Sequence, residues 1–133
     1  MFTLHPNLQK KDFICDLPLC RVLLEDAREF PWVFLVPKRE NIRNMQDLSS
    51  EDYQQLFKEI RITENVLTRL FSPDQTNVAM IGNVTPQLHV HIICRFKQDG
   101  IWPNTVWEKK THPYSSEEKQ HLIERIKKEL LNV

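Results

Sequence analysis

At 133 residues, 41% hydrophobic and 27% charged, the chain has the size and composition of one ordinary globular domain, able to bury a core without disulfides or a structural metal. Its 18 basic and 18 acidic residues cancel to a formal net charge of +0, so bulk attraction to a nucleic acid polymer or a membrane has no support, although a local basic patch for a phosphate remains open. The start MFTLHPNLQKKDF has neither the apolar run nor the small-residue cleavage site of a signal peptide, no stretch approaches the roughly 20 apolar residues of a membrane span, and three cysteines without CxxC spacing are expected as buried free thiols in a reducing cytoplasm.

The first expected strand is Cys20-Arg21-Val22-Leu23-Leu24-Glu25, entered through the turn at Leu17-Pro18. Phe30-Pro31 breaks the chain. Trp32-Val33-Phe34-Leu35-Val36 is aromatic and β-branched on both faces and is expected as a central strand covered on both sides. Lys38-Arg39-Glu40-Asn41 is its polar exit loop. Ser49 then caps a long helix whose stripe of Tyr53, Leu56, Phe57, Ile60, Leu67, Leu70 and Phe71 has helical spacing and is expected to face the core. Ser72-Pro73-Asp74 stops it.

A third strand is expected at 77–81 and a fourth at 87–96, joined through the turn pair Gly82-Asn83 and Pro86. Only two glycines occur, Gly82 and Gly100, which excludes a Gly-rich phosphate loop. Trp102-Pro103 and Val106-Trp107 lie in a loop-like segment. A last helix runs from about 115 to 131 with Leu122, Ile126 and Leu130 on one stripe. Strands, a long helix, strands and a terminal helix predict an α+β fold, with an antiparallel sheet and helices on one side.

The chemistry concentrates in Pro86-Gln87-Leu88-His89-Val90-His91-Ile92-Ile93. Strand residues alternate between faces, so Leu88, Val90, Ile92, Cys94 and Phe96 point to the core. Gln87, His89 and His91 then share the other face, spaced about 7 Å apart, and are expected to line a groove ahead of Ile93 and Arg95. Three explanations fit such a face. It is a solvated surface, a metal site lacking an obvious third ligand, or a catalytic pair in which a neutral imidazole acts as nucleophile near pH 7.

PQLHVHII resembles the signature of the histidine triad family, His-φ-His-φ-His-φ-φ with φ apolar, with Gln87 where the first His is expected. The resemblance extends over about residues 15–110, through CRVLLED, WVFLVPK, the long helix and NVAMIGN. The QLHVH form followed by WPNTVW is similar to a bacterial subgroup of small triad proteins. It implies a single domain over 1–133, homodimers whose sheets join into one, and hydrolysis or transfer at a nucleotide α-phosphate without a cofactor or metal. Nucleoside phosphoramidates, adenylates and diadenosine polyphosphates are the implied substrates. His89 is the implied nucleophile, forming a nucleotidyl-histidine, with its other ring nitrogen oriented by a backbone carbonyl near position 87. His91, Gln87 and Asn83 are the implied phosphate-binding residues. Trp102 resembles a tryptophan that reaches the partner subunit's site. Because Gln87 carries no charge, a nucleotide-binding module with little turnover is the alternative.

Overall fold

A computed structural model describes residues 1–132 of the chain. Five strands, β1 (Asp12–Asp16), β2 (Cys20–Leu24), β3 (Trp32–Pro37), β4 (Gln75–Ala79) and β5 (Val90–Arg95), make one sheet in the order β1-β2-β3-β5-β4. Every neighbouring pair is antiparallel. Three helices complete the fold: α1 (Pro6–Gln9), α2 (Ser50–Phe71) and α3 (Ser116–Leu131), with a short 3-10 turn at Met45–Asp47. No helix among the described residues is long and apolar enough to cross a membrane.

The alternation of β3 explains the layering. Val33 and Leu35 face one side, where Leu56, Ile60, Val66 and Leu67 of α2 and Leu122, Ile126 and Leu130 of α3 close the larger core. Trp32, Phe34 and Val36 face the other side. That face is covered by the N-terminal segment, through Phe2, Leu4 and Leu8, and by Ile101 and Val106. The central strand is therefore buried on both faces, as its composition predicts. α2 starts where Ser49 Oγ accepts a hydrogen bond from the Asp52 amide, with Glu51 and Asp52 in the first turn complementing the helix dipole. It ends at Ser72, whose φ of 47° is left-handed, just before Pro73.

Several expectations are corrected. β1 and α1 carry too few alternating residues to stand out, yet β1 extends the sheet and α1 rests on it. The third strand lies at Gln75–Ala79 rather than 77–81, and the fourth is laddered only over Val90–Arg95 rather than 87–96. Of the predicted α2 stripe, Tyr53 and Phe57 are exposed, their rings 5.5 Å apart. The buried stripe instead includes two polar residues, Glu59 and Thr63.

Glu59 explains its own burial. Its carboxylate accepts the Leu19 and Cys20 amides, each at 2.8 Å, and the Gln55 side-chain amide at 2.7 Å. The carboxylate thus satisfies two backbone donors at the β1–β2 turn that no strand reaches, and it locks α2 to that turn. Replacing Glu59 by Ala leaves both buried amides without an acceptor and is expected to destabilise the protein by about 2–5 kcal/mol. Urea unfolding of wild type and Glu59→Ala measures this directly.

Candidate active site

β5 and the residues that lead into it place the two histidines. His91 stands opposite Phe34 of β3 in the ladder, and His89 lies two residues earlier, where the chain approaches the sheet. Their ring centroids are 4.9 Å apart. Both are nearly enclosed, with relative exposures of 6% for His89 and 7% for His91. This burial rules out the solvated-surface explanation. Phe34 packs beneath both rings, at 6.2 Å from His89 and 5.0 Å from His91.

Each ring is fixed by one hydrogen bond, and the two bonds have opposite sense. His89 Nδ1 lies 2.6 Å from the carbonyl oxygen of Gln87. A carbonyl only accepts, so Nδ1 carries the proton and Nε2 of the neutral ring keeps its lone pair. His91 Nδ1 accepts from the Trp32 indole N–H at 3.1 Å, which puts the His91 proton on Nε2. Burial, then the neighbouring charges of His89 and Lys11, push the His91 imidazole down to about 3. In their neutral forms the two rings offer one nitrogen lone pair, on His89, and one N–H donor, on His91.

Two hollows meet at His89. One, of about 170 Å³, is lined by Asn7, Lys11, Glu25, Thr85, His89 and His91. The other, of about 460 Å³, lies toward Asn44, Tyr53, Met80, Gly82 and Leu88. Among the described residues, no three His, Cys, Asp or Glu side chains converge where a metal ion could sit.

The remaining predicted residues are Gln87, Asn83 and Trp102. The Gln87 side chain turns away from the histidines. Its oxygen accepts the His5 amide at 2.7 Å and its nitrogen donates to the Thr3 carbonyl at 2.9 Å. Both ends of the amide are thereby held by the N-terminal segment, while Gln87 also lines the larger hollow beside His89 and its backbone carbonyl meets the His89 ring. Asn83 is exposed in the turn and lines neither hollow, whereas its neighbours Gly82 and Thr85 do. Trp102 lies with its ring 5.9 Å from the Arg95 guanidinium. That guanidinium is buried in an ion pair with Asp99 at 2.6 Å and is not available to a phosphate. Trp107, expected only as packing, sits edge-on to His91 at 4.8 Å.

The chain matches the HIT domain model over residues 7–98, a span that holds the motif and most of the sheet. The chain belongs to the histidine triad (HIT) family. A histidine triad protein of Marinobacter aquaeolei is 36% identical, with a TM-score of 0.95 over 99% of this chain and 98% of that one. A histidine triad protein of Bradyrhizobium japonicum is 34% identical, with a TM-score of 0.94 over 97% and 98% of the two chains. Among curated relatives, a bis(5'-adenosyl)-triphosphatase of Saccharomyces cerevisiae is 29% identical over 85 residues, 60% of this chain and 41% of that protein. An asymmetrical bis(5'-nucleosyl)-tetraphosphatase of Schizosaccharomyces pombe is 31% identical over 72 residues, 50% of this chain and 39% of that protein. The matched regions thus span well under half the length of these curated relatives.

The depressed His91 basicity has a measurable consequence. In the unfolded chain this imidazole takes a proton near its ordinary value of 6.5, whereas in the folded HIT protein it stays neutral to about 3. Between those values the unfolded state binds the extra proton, so stability falls as the pH drops, by about 1.4 kcal/mol per pH unit from this group. His91→Gln keeps an oxygen for the Trp32 N–H and removes the titration. Its unfolding free energy is expected to depend less steeply on pH between 6 and 4 than that of wild type, in denaturant titrations at each pH.

Proposed function

We propose that this HIT protein is a nucleotide hydrolase or transferase that works through a covalent nucleotidyl-His89 intermediate. The observation that carries the proposal is the 2.6 Å contact between the Gln87 carbonyl and His89 Nδ1. It leaves the lone pair on Nε2 of a ring that borders both hollows and stabilises that ring as it gains positive charge. In the first step, Nε2 forms a bond to the α-phosphorus while the bond from phosphorus to the leaving group breaks, and the leaving group departs with the electron pair. His91 Nε2–H donates to a phosphate oxygen or to the departing atom. Water then cleaves the P–N bond, a mononucleotide leaves, and the His89 lone pair is restored. Phosphoryl chemistry of this kind needs placement and hydrogen-bond donors more than a cofactor.

Nucleoside phosphoramidates, adenylates and dinucleoside polyphosphates all carry a suitable α-phosphate. The names of the two yeast relatives favour the last class. The second reading is a nucleotide-binding module with little turnover. It is favoured by Gln87, which puts no ionisable group at the first motif position.

A homodimer is part of the proposal. β4 is an edge strand, and beside it Tyr53, Phe57, Val78, Met80 and Ile81 are exposed together. A second copy pairing along β4 would satisfy the strand's open edge and cover this apolar patch. The patch continues into the larger hollow beside His89. The three buried free thiols, Cys15, Cys20 and Cys94, suit the reducing cytoplasm as the working compartment.

Intact-mass measurement after rapid mixing with a dinucleoside polyphosphate or an adenosine phosphoramidate tests the chemistry. Wild type is expected to gain one mononucleotide, and His89→Ala to gain none and to lose at least about a thousandfold in turnover. Nucleotide binding without adduct or product would favour the binding module. Sedimentation tests the assembly: wild type is expected at twice the chain mass, and Phe57→Asp shifted toward the monomer.

A further inference from the structure

We propose that Lys11, held in place by the N-terminal segment that Gln87 pins, binds the phosphate group presented to His89. The inference rests on the nucleotide reading of the His89 site and adds to it a residue outside the family motif.

The segment is tied to the motif at three points. Gln87 holds the backbone of Thr3 and His5 from both ends of its amide. The Asn7 side-chain amide donates to Thr85 Oγ at 2.9 Å. Leu8 is buried against the Leu23, Phe34 and Val36 side of the sheet. Chain direction then carries Lys11 to the start of β1, one step beyond the Asp12–Leu24 pair, directly across from Glu25.

Lys11 is partly withdrawn from solvent, its side chain 26% exposed. Its Nζ lies 5.4 Å from the centroid of Phe34, the ladder partner of His91, and it lines the same hollow as both histidines. Two of its three N–H donors can be met by the Glu25 carboxylate, whose oxygens are 2.9 and 2.8 Å from Nζ. The ordinary alternative is a cross-strand ion pair that only supports the sheet. A lysine in such a pair has no need to enter a hollow with two imidazoles.

Charge balance gives Lys11 a task there. His91 is a neutral donor at working pH, and Arg95 is committed to Asp99. Among the described residues lining this hollow, Lys11 is the one lysine or arginine and Glu25 the one carboxylate, so the pair is neutral until a phosphate competes for Nζ. A nucleotide phosphate brings negative charge that one neutral N–H meets poorly, and an ammonium group beside it supplies the missing compensation. Glu25 keeps Lys11 oriented and neutralised while the site is empty.

The test is calorimetric titration with AMP and with adenosine, which differ by the phosphate. Wild type is expected to bind AMP more tightly. Lys11→Met is expected to narrow the AMP-over-adenosine preference tenfold or more, and Lys11→Arg to retain most of it. Lys11→Gln serves in place of Lys11→Met if that variant does not fold by circular dichroism. A purely structural lysine would alter stability and leave the preference intact, and an unchanged preference in Lys11→Met or Lys11→Gln would overturn the inference. So would equal wild-type affinity for AMP and adenosine, or no binding of either. If the preference depends on Lys11 but wild type forms no adduct on mixing with substrate, the inference stands and the hydrolase reading falls.

Discussion

The hydrogen bond from His89 Nδ1 to the Gln87 carbonyl is the constraint on which the site depends. A carbonyl can only accept, so this one contact chooses the tautomer of the ring and leaves the lone pair on Nε2. Two residues later, the Trp32 indole imposes the opposite choice on His91. The sheet makes both choices possible. β3 and β5 lie side by side, Phe34 pairs with His91, and Trp32 is two ladder pairs further on, opposite Ile93. Two identical side chains thus present a ring lone pair in one case and an N–H donor in the other, through different neighbours.

The same contact explains how a histidine triad protein can carry glutamine at the first motif position. The group that orients His89 is the main chain, which a change of side chain leaves in place. The side chain is then free for another use, and here its amide holds the N-terminal segment with one donor and one acceptor, in the manner of a short ladder. A neutral histidine also has one donor and one acceptor, but they diverge across the ring, whereas the amide presents both at one end. The substitution therefore trades an ionisable side chain for a covered sheet face beside the site.

Much of the fold was legible because burial imposes periodicity. Val33 and Leu35 alternate with Trp32, Phe34 and Val36 because both sides of the central strand are covered. The capped start and left-handed end of α2 follow from Ser49 and Ser72-Pro73. The histidines stood out because two imidazoles on one strand face are an uneconomical surface. What escaped was held by long-range polar contacts, which leave no local pattern. Gln87 reaches Thr3 across 84 positions, and Glu59 reaches Leu19 across 40. The helical stripe could not separate residues facing the sheet from residues left open, so Tyr53 and Phe57 read like Leu56 and Ile60. Trp102 and Trp107 share one composition of neighbours, and only the path of the loop puts Trp107 against His91.

The tautomers themselves are the most direct test of this account. Long-range proton–nitrogen NMR correlation on the uniformly nitrogen-15-labelled protein at pH 7, with His89 and His91 assigned, reports which ring nitrogen carries the proton. The account predicts a protonated Nδ1 with a bare Nε2 for His89, and the reverse for His91. A His89 ring protonated on Nε2, or averaging freely between tautomers, would contradict it, because the carbonyl of Gln87 would then not be directing the proposed nucleophile.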